Sequence, residues 1–431
     1  MESVVGSGGG MPDATAFAEA RAAPEEVLRV VFGHPSFRAG QREVIDAVVA
    51  GRDALAIMPT GAGKSVVFQI PARLGLAPVL VVSPLIALMR DQVVRAVARG
   101  LCATWVDSSL EESVRRERLA GALDGSVELL YVSPEGLPRV VAGLEGRIGL
   151  LAVDEAHCIS EWGHDFRPAY RRIAEARGRL GRVTTLAVTA TATPAVAADI
   201  SRCLGLQDPL VWRGDFLRPN LRLAARSKDR LTDVRSEVLA AVDAHAGQSA
   251  IVYCLSRRQA GALATFLRAA SVPAAPYHAG MDGAARSEVQ DAFASGEVDV
   301  VVATVAFGMG IDKADVRLVV HADLPGSIEA YAQEIGRAGR DSARSDCLLL
   351  YSWPDVQRRI ALARALSPER RRAARRRAGE MYRFAALGGC RHVRLCAHFA
   401  QDVEACRVAC DSCGGPAAAA MMGGPRDAAR C

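Results

Sequence analysis

Residues 58–65, Met-Pro-Thr-Gly-Ala-Gly-Lys-Ser, stand between the apolar run Ala54-Leu55-Ala56-Ile57 and the segment Val66-Val67-Phe68. That order reads as buried strand, glycine loop, helix. In such a turn Thr60, Gly61, Ala62 and Gly63 wrap their backbone around an anion, and a helix starting near Lys64 adds its positive dipole end. Lys64 is placed to reach the terminal phosphates of a nucleotide and Ser65 to hold magnesium. Met58 occupies the position where the usual phosphate-loop pattern has its first glycine, so the flanking strand and helix carry the reading. Lysine is also scarce: Lys64, Lys228 and Lys313 are the only three in the chain. A compact ammonium fits between phosphates where a planar guanidinium does not.

A loop of this kind needs a sheet behind it, and 431 residues with 50% hydrophobic and 23% charged side chains are ample for two or three soluble domains. No apolar run is long enough to span a bilayer, and the first residues lack the basic and apolar regions of a secretory signal. We therefore expect a cytoplasmic protein, nucleoid-associated if bacterial. Thiols fit that compartment: Cys102, Cys158, Cys203, Cys254 and Cys347 are scattered, whereas Cys390, Cys396, Cys406, Cys410 and Cys413 crowd together. The net charge of +5 permits a polyanionic partner without requiring one.

After a Gly/Ala/Ser-rich start, helical patterns at 25–31 and 42–49 flank the loop 32–41. Apolar runs at 79–83, 128–133, 150–153 and 184–188 then alternate with helical stretches, and the alternation restarts at 250–254, 299–303, 317–321 and 347–351. Strands alternating with helices imply parallel sheets covered on both faces. Two such lobes, joined near 212–222, share one phosphate loop, so the second lobe is expected to supply residues across a cleft. Residues 354–384 read as arginine-rich helix, either a solvated face or a nucleic-acid contact.

Leu150-Leu151-Ala152-Val153-Asp154-Glu155-Ala156-His157 is an apolar strand ending in two carboxylates, where nucleotides bind on parallel sheets. Asp154 is suited to hold magnesium and Glu155 to polarise the attacking water. The missing positive charge for phosphoryl transfer is offered by Gln333-Glu334-Ile335-Gly336-Arg337-Ala338-Gly339-Arg340, with Arg340 the first choice and Arg337 the second. Trp162, His164, Phe166 and Arg167, directly after the acidic pair, suit single-stranded nucleic acid, since rings stack on bases and arginine pairs with phosphate. Trp162 and Phe166 as core anchors is the alternative. Cys406-x-x-x-Cys410-x-x-Cys413 with Cys390 makes a tetrahedral zinc set, with Cys396, His392 and His398 as competitors for the fourth place.

Taken together, residues 27–413 resemble the RecQ family of DNA helicases. The resemblance rests on Phe37-Arg38-Ala39-Gly40-Gln41, Ser83 to Gln92, Asp154-Glu155-Ala156-His157, the loop from Trp162 to Pro168, Thr189-Ala190-Thr191-Ala192, Ala303 to Lys313, and the stretch around Arg337 and Arg340. It implies an α/β fold of two tandem RecA-like parallel-sheet lobes plus a small helical zinc-binding subdomain. The corresponding division is a disordered 1–22, an ATP-binding lobe 23–215, a second lobe 216–353, the zinc subdomain 354–415 and a disordered tail 416–431. By the same resemblance Arg38 and Gln41 bind adenine, Asp312 belongs to the nucleotide site, and ATP, Mg2+ and Zn2+ are the cofactors. The implied activity is ATP-dependent 3′-to-5′ movement on single-stranded and forked DNA in repair or recombination, by a monomer with no membrane and no indicated protein partner. Three departures stand out: His34 where relatives stack an aromatic on adenine, three residues between Cys406 and Cys410, and no winged-helix domain after the zinc region. The last raises a second reading, a zinc-stabilised DNA-binding adaptor with DNA-stimulated ATPase and little unwinding.

Overall fold

The computed structural model describes residues 23–414, apart from Ser108, Trp162, His164, Ala306 and residues 308–312. The expectations of disorder for the two termini therefore lie outside the described residues. The first sheet holds seven strands: β1 (Ala54–Ile57), β2 (Val79–Val82), β3 (Ala103–Val106), β4 (Leu129–Val132), β5 (Leu150–Val153), β6 (Thr184–Thr189) and β7 (Leu210–Arg213), in the spatial order β3-β4-β2-β5-β6-β1-β7. The second holds six: β8 (Leu221–Ser227), β9 (Ser249–Tyr253), β10 (Ala274–Tyr277), β11 (Val300–Ala303), β12 (Val316–His321) and β13 (Ser345–Tyr351), in the order β10-β11-β9-β12-β13-β8. Every pairing in both is parallel. Two RecA-like lobes follow, with residues 214–220 running between them.

Strands β1, β2, β4 and β5 are buried along their whole length, as a parallel sheet with helices on both faces requires. One face of the first sheet packs on the helix Gln41–Val49 through Val44, Ile45 and Val48. The other face belongs to a core that continues through Phe216 into the second sheet and the C-terminal helices. Phe216 and Phe399 stack at 4.1 Å with planes 4° apart, tying the connection between lobes to the end of the helix Arg391–His398.

The structure adds four strands that the sequence reading left out, β3, β7, β8 and β10, and each is an edge. Trp212 and Arg222, read as part of the join, belong to β7 and β8. The helix of the glycine loop starts at Val66, two residues after Lys64, with Ser65 as its N-cap. Among the described residues, no helix is long and apolar enough to cross a membrane.

Candidate functional site

Strands β5, β6 and β1 are neighbours, so their C-terminal ends bring the acidic pair, Thr189 and the glycine loop to one edge. The ladder runs past the strands: Met58 N–H donates to the Thr189 carbonyl and Asp154 N–H to that of Val82, both at 2.9 Å. Gly61 and Gly63 take φ of 88° and 76°, values that glycine adopts without strain. At Gly63 a Cβ would lie 2.6 Å from Gln41 Nε2. That amide donates to the carbonyls of Ala62 and Gly63, at 3.0 and 3.1 Å, while Arg38 N–H donates to Gln41 Oε1 at 2.9 Å. The Arg38 guanidinium donates to the Gly61 carbonyl. The two residues thus brace the loop from the side.

Asp154 accepts from Gln92 Nε2 at 3.1 Å and from Glu155 N–H at 2.9 Å, and its carbonyl accepts from Tyr170 OH at 3.0 Å. Burial, then the charge of Glu155, push Asp154 up to about 6 against the pull of the Lys64 ammonium. Glu155 sits at φ 48°, ψ 45°. That left-handed turn costs an L-residue about 1–3 kcal/mol and is characteristic of functional sites. Its Oε2 lies 3.3 Å from His157 Nδ1, which in turn lies 2.9 Å from Thr189 Oγ1.

The second lobe closes the site. Ser327 caps the helix Ile328–Ile335 by accepting from Ala330 N–H at 3.2 Å, and the chain after it delivers Arg337 and Arg340. Both arginines line a cavity of about 640 Å³ together with Arg38, Gln41, Thr60, Lys64, Ser65, Asp154 and Glu155. A Cβ on Gly61 would stand 3.7 Å from Arg340 Cγ, and one on Gly336 would stand 2.9 Å from Thr60 Cβ. Side chains at Gly336 would therefore push the lobes apart. Burial holds the Lys64 amine below its ordinary pKa; Glu155 and Asp154 oppose this, and the positive charges of Arg340 and Arg337 reinforce it. The arginines across the cleft and the loop lysine thus lie in one electrostatic field.

A second cavity, about 650 Å³, shares Glu155, Gln333 and Arg337 as a wall and gathers four more arginines, Arg167, Arg257, Arg359 and Arg377, beside the carboxylates of Asp165 and Glu334. Arg167 donates to the Pro84 carbonyl at 2.8 Å and pairs with Asp165 at 3.1 Å. Phe166 is half-buried, with Arg370 4.9 Å and Arg171 5.7 Å from its ring centre. Arg370 and Arg377 come from the helix Pro368–Ala386. That arginine-rich helix therefore presents part of its charge to the cleft, while Arg376 pairs with Glu380 at 3.8 Å. Trp162, His164 and Asp312 lie outside the described residues.

The thiols of Cys390, Cys406 and Cys410 and a ring nitrogen of His392 lie within 4.8 Å of one another. The Cys413 thiol lies outside that group but near enough to Cys410, Cys390 and Cys406 for its titration to be shifted by them. Burial would raise the Cys390 thiol, but backbone N–H groups, Cys406 N at 3.3 Å among them, bring it to about 7. Thiols gathered in this way are a chemically suitable zinc set. His398 is committed to Glu329 at 2.8 Å, and Cys396 is buried with its thiol raised to about 11. His392 spends Nε2 on the Leu221 carbonyl at 3.1 Å, leaving Nδ1 buried without a hydrogen-bond partner among the described residues. The cluster also covers the edge of the second sheet: Cys410 bridges to Leu223 of β8, Ala225 N–H donates to Asp411 at 2.9 Å, and Arg391 holds Asp411 at 2.8 Å.

Three contributors were not singled out as site residues from sequence: Gln92 on Asp154, His157 on Glu155, and Gln333 between the cavities. All three lay inside stretches whose overall character was read, but a polar side chain within such a stretch gives no sign of where it points.

Comparison with known proteins places these features. A DEAD/DEAH box helicase model matches residues 38–200, a helicase conserved C-terminal domain residues 230–342, and a RecQ zinc-binding model residues 353–414. The chain is 42% identical over 397 residues to the ATP-dependent DNA helicase RecQ of Pasteurella multocida, an alignment covering 90% of this chain and 62% of that protein. It is 36% identical over 398 residues to a putative ATP-dependent RNA helicase of Acanthamoeba polyphaga mimivirus, covering 91% and 72%. Among solved structures, Mycobacterium smegmatis helicase Lhr bound to ssDNA and AMP-PNP matches with a TM-score of 0.63 at 23% identity, over 78% of this chain and 49% of that one, and shares the fold. The chain spans less than two thirds of the length of the Pasteurella relative.

Proposed function

Because the chain belongs to the RecQ family of ATP-dependent DNA helicases, we propose that it hydrolyses ATP in the cleft between its lobes and uses the cycle to move 3′-to-5′ on single-stranded DNA and part forked duplexes, in repair or recombination. The observation that carries this reading is the shared wall. Glu155, Gln333 and Arg337 face both the cavity of the phosphate loop and the basic cleft, so a strand in one touches the groups that act in the other.

In this mechanism the glycine loop and Lys64 hold the phosphates, Glu155 orients and deprotonates the attacking water, and Arg340 with Arg337 stabilises charge developing on the transferred phosphoryl group. Ser65 and Asp154 would hold Mg2+, which neutralises phosphate charge when bound. Arg38 and Gln41 join the loop to the adenine end of the cavity. DNA binding at Phe166, Arg167 and the adjoining Trp162 and His164 shifts the turn that carries Glu155. Cys390, Cys406, Cys410 and Cys413 hold zinc as a structural staple.

The test is ATPase activity with single-stranded DNA, duplex DNA and RNA side by side, followed by fork unwinding. Stimulation by DNA with robust unwinding supports the reading; stimulation without unwinding favours the adaptor. Greater stimulation by RNA would align the chain with its mimivirus relative.

Two further outcomes follow from the geometry. Arg377 has a buried Nη1 without a partner among the described residues and faces the basic cleft. Arg377→Ala is expected to weaken single-stranded DNA binding for all sequences alike and to flatten log K against log salt by about 0.7, the share of one phosphate contact. Fluorescence anisotropy over a salt series measures it; an unchanged slope removes Arg377 from the DNA path. Cys410→Ser, at a position 1% exposed, is expected to abolish zinc retention and lower Tm by roughly 10 °C. It also uncovers β8 as an aggregation-prone edge. Zinc content and thermal melting decide this.

A further inference from the structure

Phe216-Leu217-Arg218-Pro219-Asn220-Leu221 carries the chain from one lobe to the other. Arg218 is held there by backbone carbonyls: Nη2 donates to Gly339 at 2.7 Å and Ala338 at 3.0 Å, and Nη1 lies 3.5 Å from the Thr60 carbonyl. Asn220 Nδ2 donates to the carbonyls of Gly339 at 3.0 Å and Ala343 at 2.9 Å. Thr60 precedes Gly61 of the phosphate loop, and Ala338 and Gly339 are the two residues separating Arg337 from Arg340. A single planar fork therefore touches both halves of the nucleotide site. Its grip is unequal: the bonds to the arginine loop are well formed, whereas 3.5 Å to Thr60 is at the outer limit of a hydrogen bond.

We propose that Arg218 is a positioning residue that fixes the Arg340 loop and gauges its approach to the phosphate loop. The contacts to Ala338 and Gly339 keep the loop's backbone in one conformation. The contact to Thr60 is the variable one, tightening by a few tenths of an ångström as the lobes close and breaking as they open. Arg218 thereby converts lobe closure into a set distance between Arg340 and the terminal phosphate. Phosphoryl transfer is sensitive to such placement, since displacements on the order of 1 Å cost about 10²-fold in rate. A lysine cannot substitute, because an ammonium on a flexible stem does not span three carbonyls with a rigid fork. This proposal rests on the reading of Arg340 as the group that stabilises transition-state charge.

The experiment is steady-state ATP hydrolysis at saturating single-stranded DNA for wild type, Arg218→Ala, Arg218→Lys, Arg340→Ala and the double variant Arg218→Ala/Arg340→Ala, each with its Tm and DNA affinity. Both Arg218 variants are expected to lose roughly 10–100-fold in kcat, with ATP KM and DNA affinity within about threefold of wild type. The double variant is expected to be no slower than Arg340→Ala beyond about twofold, since residues acting through one another are not additive. A structural role predicts instead losses that multiply, in step with a falling Tm. Wild-type turnover in Arg218→Ala beside a slow Arg340→Ala overturns the positioning role alone; wild-type turnover in Arg340→Ala overturns the reading beneath it. If Arg218→Ala does not fold, Arg218→Lys decides, and loss of cooperative melting in both assigns Arg218 to folding rather than to turnover.

Discussion

Glu155→Gln is expected to bind ATP and single-stranded DNA as the wild type does while hydrolysing ATP roughly 10³-fold more slowly, the usual size of a general-base effect. The amide matches the carboxylate in shape, so the left-handed turn at φ 48° that aims the side chain can persist. It cannot take a proton from water. Removing the negative charge also removes one of the two causes that raise Asp154, the other being burial. Asp154 therefore ionises more readily in the variant, and magnesium-dependent nucleotide binding is not weakened. Lys64→Ala differs: it removes a phosphate contact, so loss of turnover should come with loss of ATP binding. Fluorescent-nucleotide titration alongside ATPase separates the two variants. Residual turnover above a tenth of wild type in Glu155→Gln rejects its role as the base.

How far the sequence disclosed this site follows from where each piece sits in the sheets. Central strands such as β1, β2 and β5 are buried on both faces, so they appear as unbroken apolar runs and their C-terminal ends mark the phosphate loop and the acidic pair. All four strands missed from sequence are edges. β3 is half-exposed along most of its length, and β10 contains Pro276, tolerated because one side of an edge strand needs no donors. β3, β7 and β10 have only four residues each, too few to give a usable period, and the seven-residue β8 is only half-buried toward its end. The juxtaposition of Arg340 with Gly61 depends on those same edges, because β7 leads into the connection and β8 begins the second sheet. Sequence could name both partners, whereas knowing that a Cβ on Gly61 would stand 3.7 Å from Arg340 Cγ required the folded chain. Arg218 was beyond reach for a related reason: its partners are carbonyl oxygens, which every residue carries.

Arg340→Ala is expected to reduce kcat by at least about 10³-fold, in the range of arginine fingers, while leaving single-stranded DNA affinity within about twofold of wild type. The separation follows from which walls each arginine forms. Arg340 lines the nucleotide cavity, whereas Arg337 lines that cavity and the basic cleft together. Arg337→Ala should therefore weaken DNA binding as well as turnover, and the two variants should divide on an anisotropy titration even where their ATPase rates coincide. Arg340 also contributes to holding the Lys64 amine below its ordinary pKa. Its removal relieves a cation–cation repulsion that grows as the lobes close without phosphate between them, so the empty cleft of Arg340→Ala is expected to close more readily than that of the wild type. Small-angle scattering with and without ATP reads that difference. A nucleotide-driven compaction equal in both proteins, with turnover retained in Arg340→Ala, would mean that the positive charge across the cleft serves closure by some other residue and that hydrolysis does not depend on Arg340.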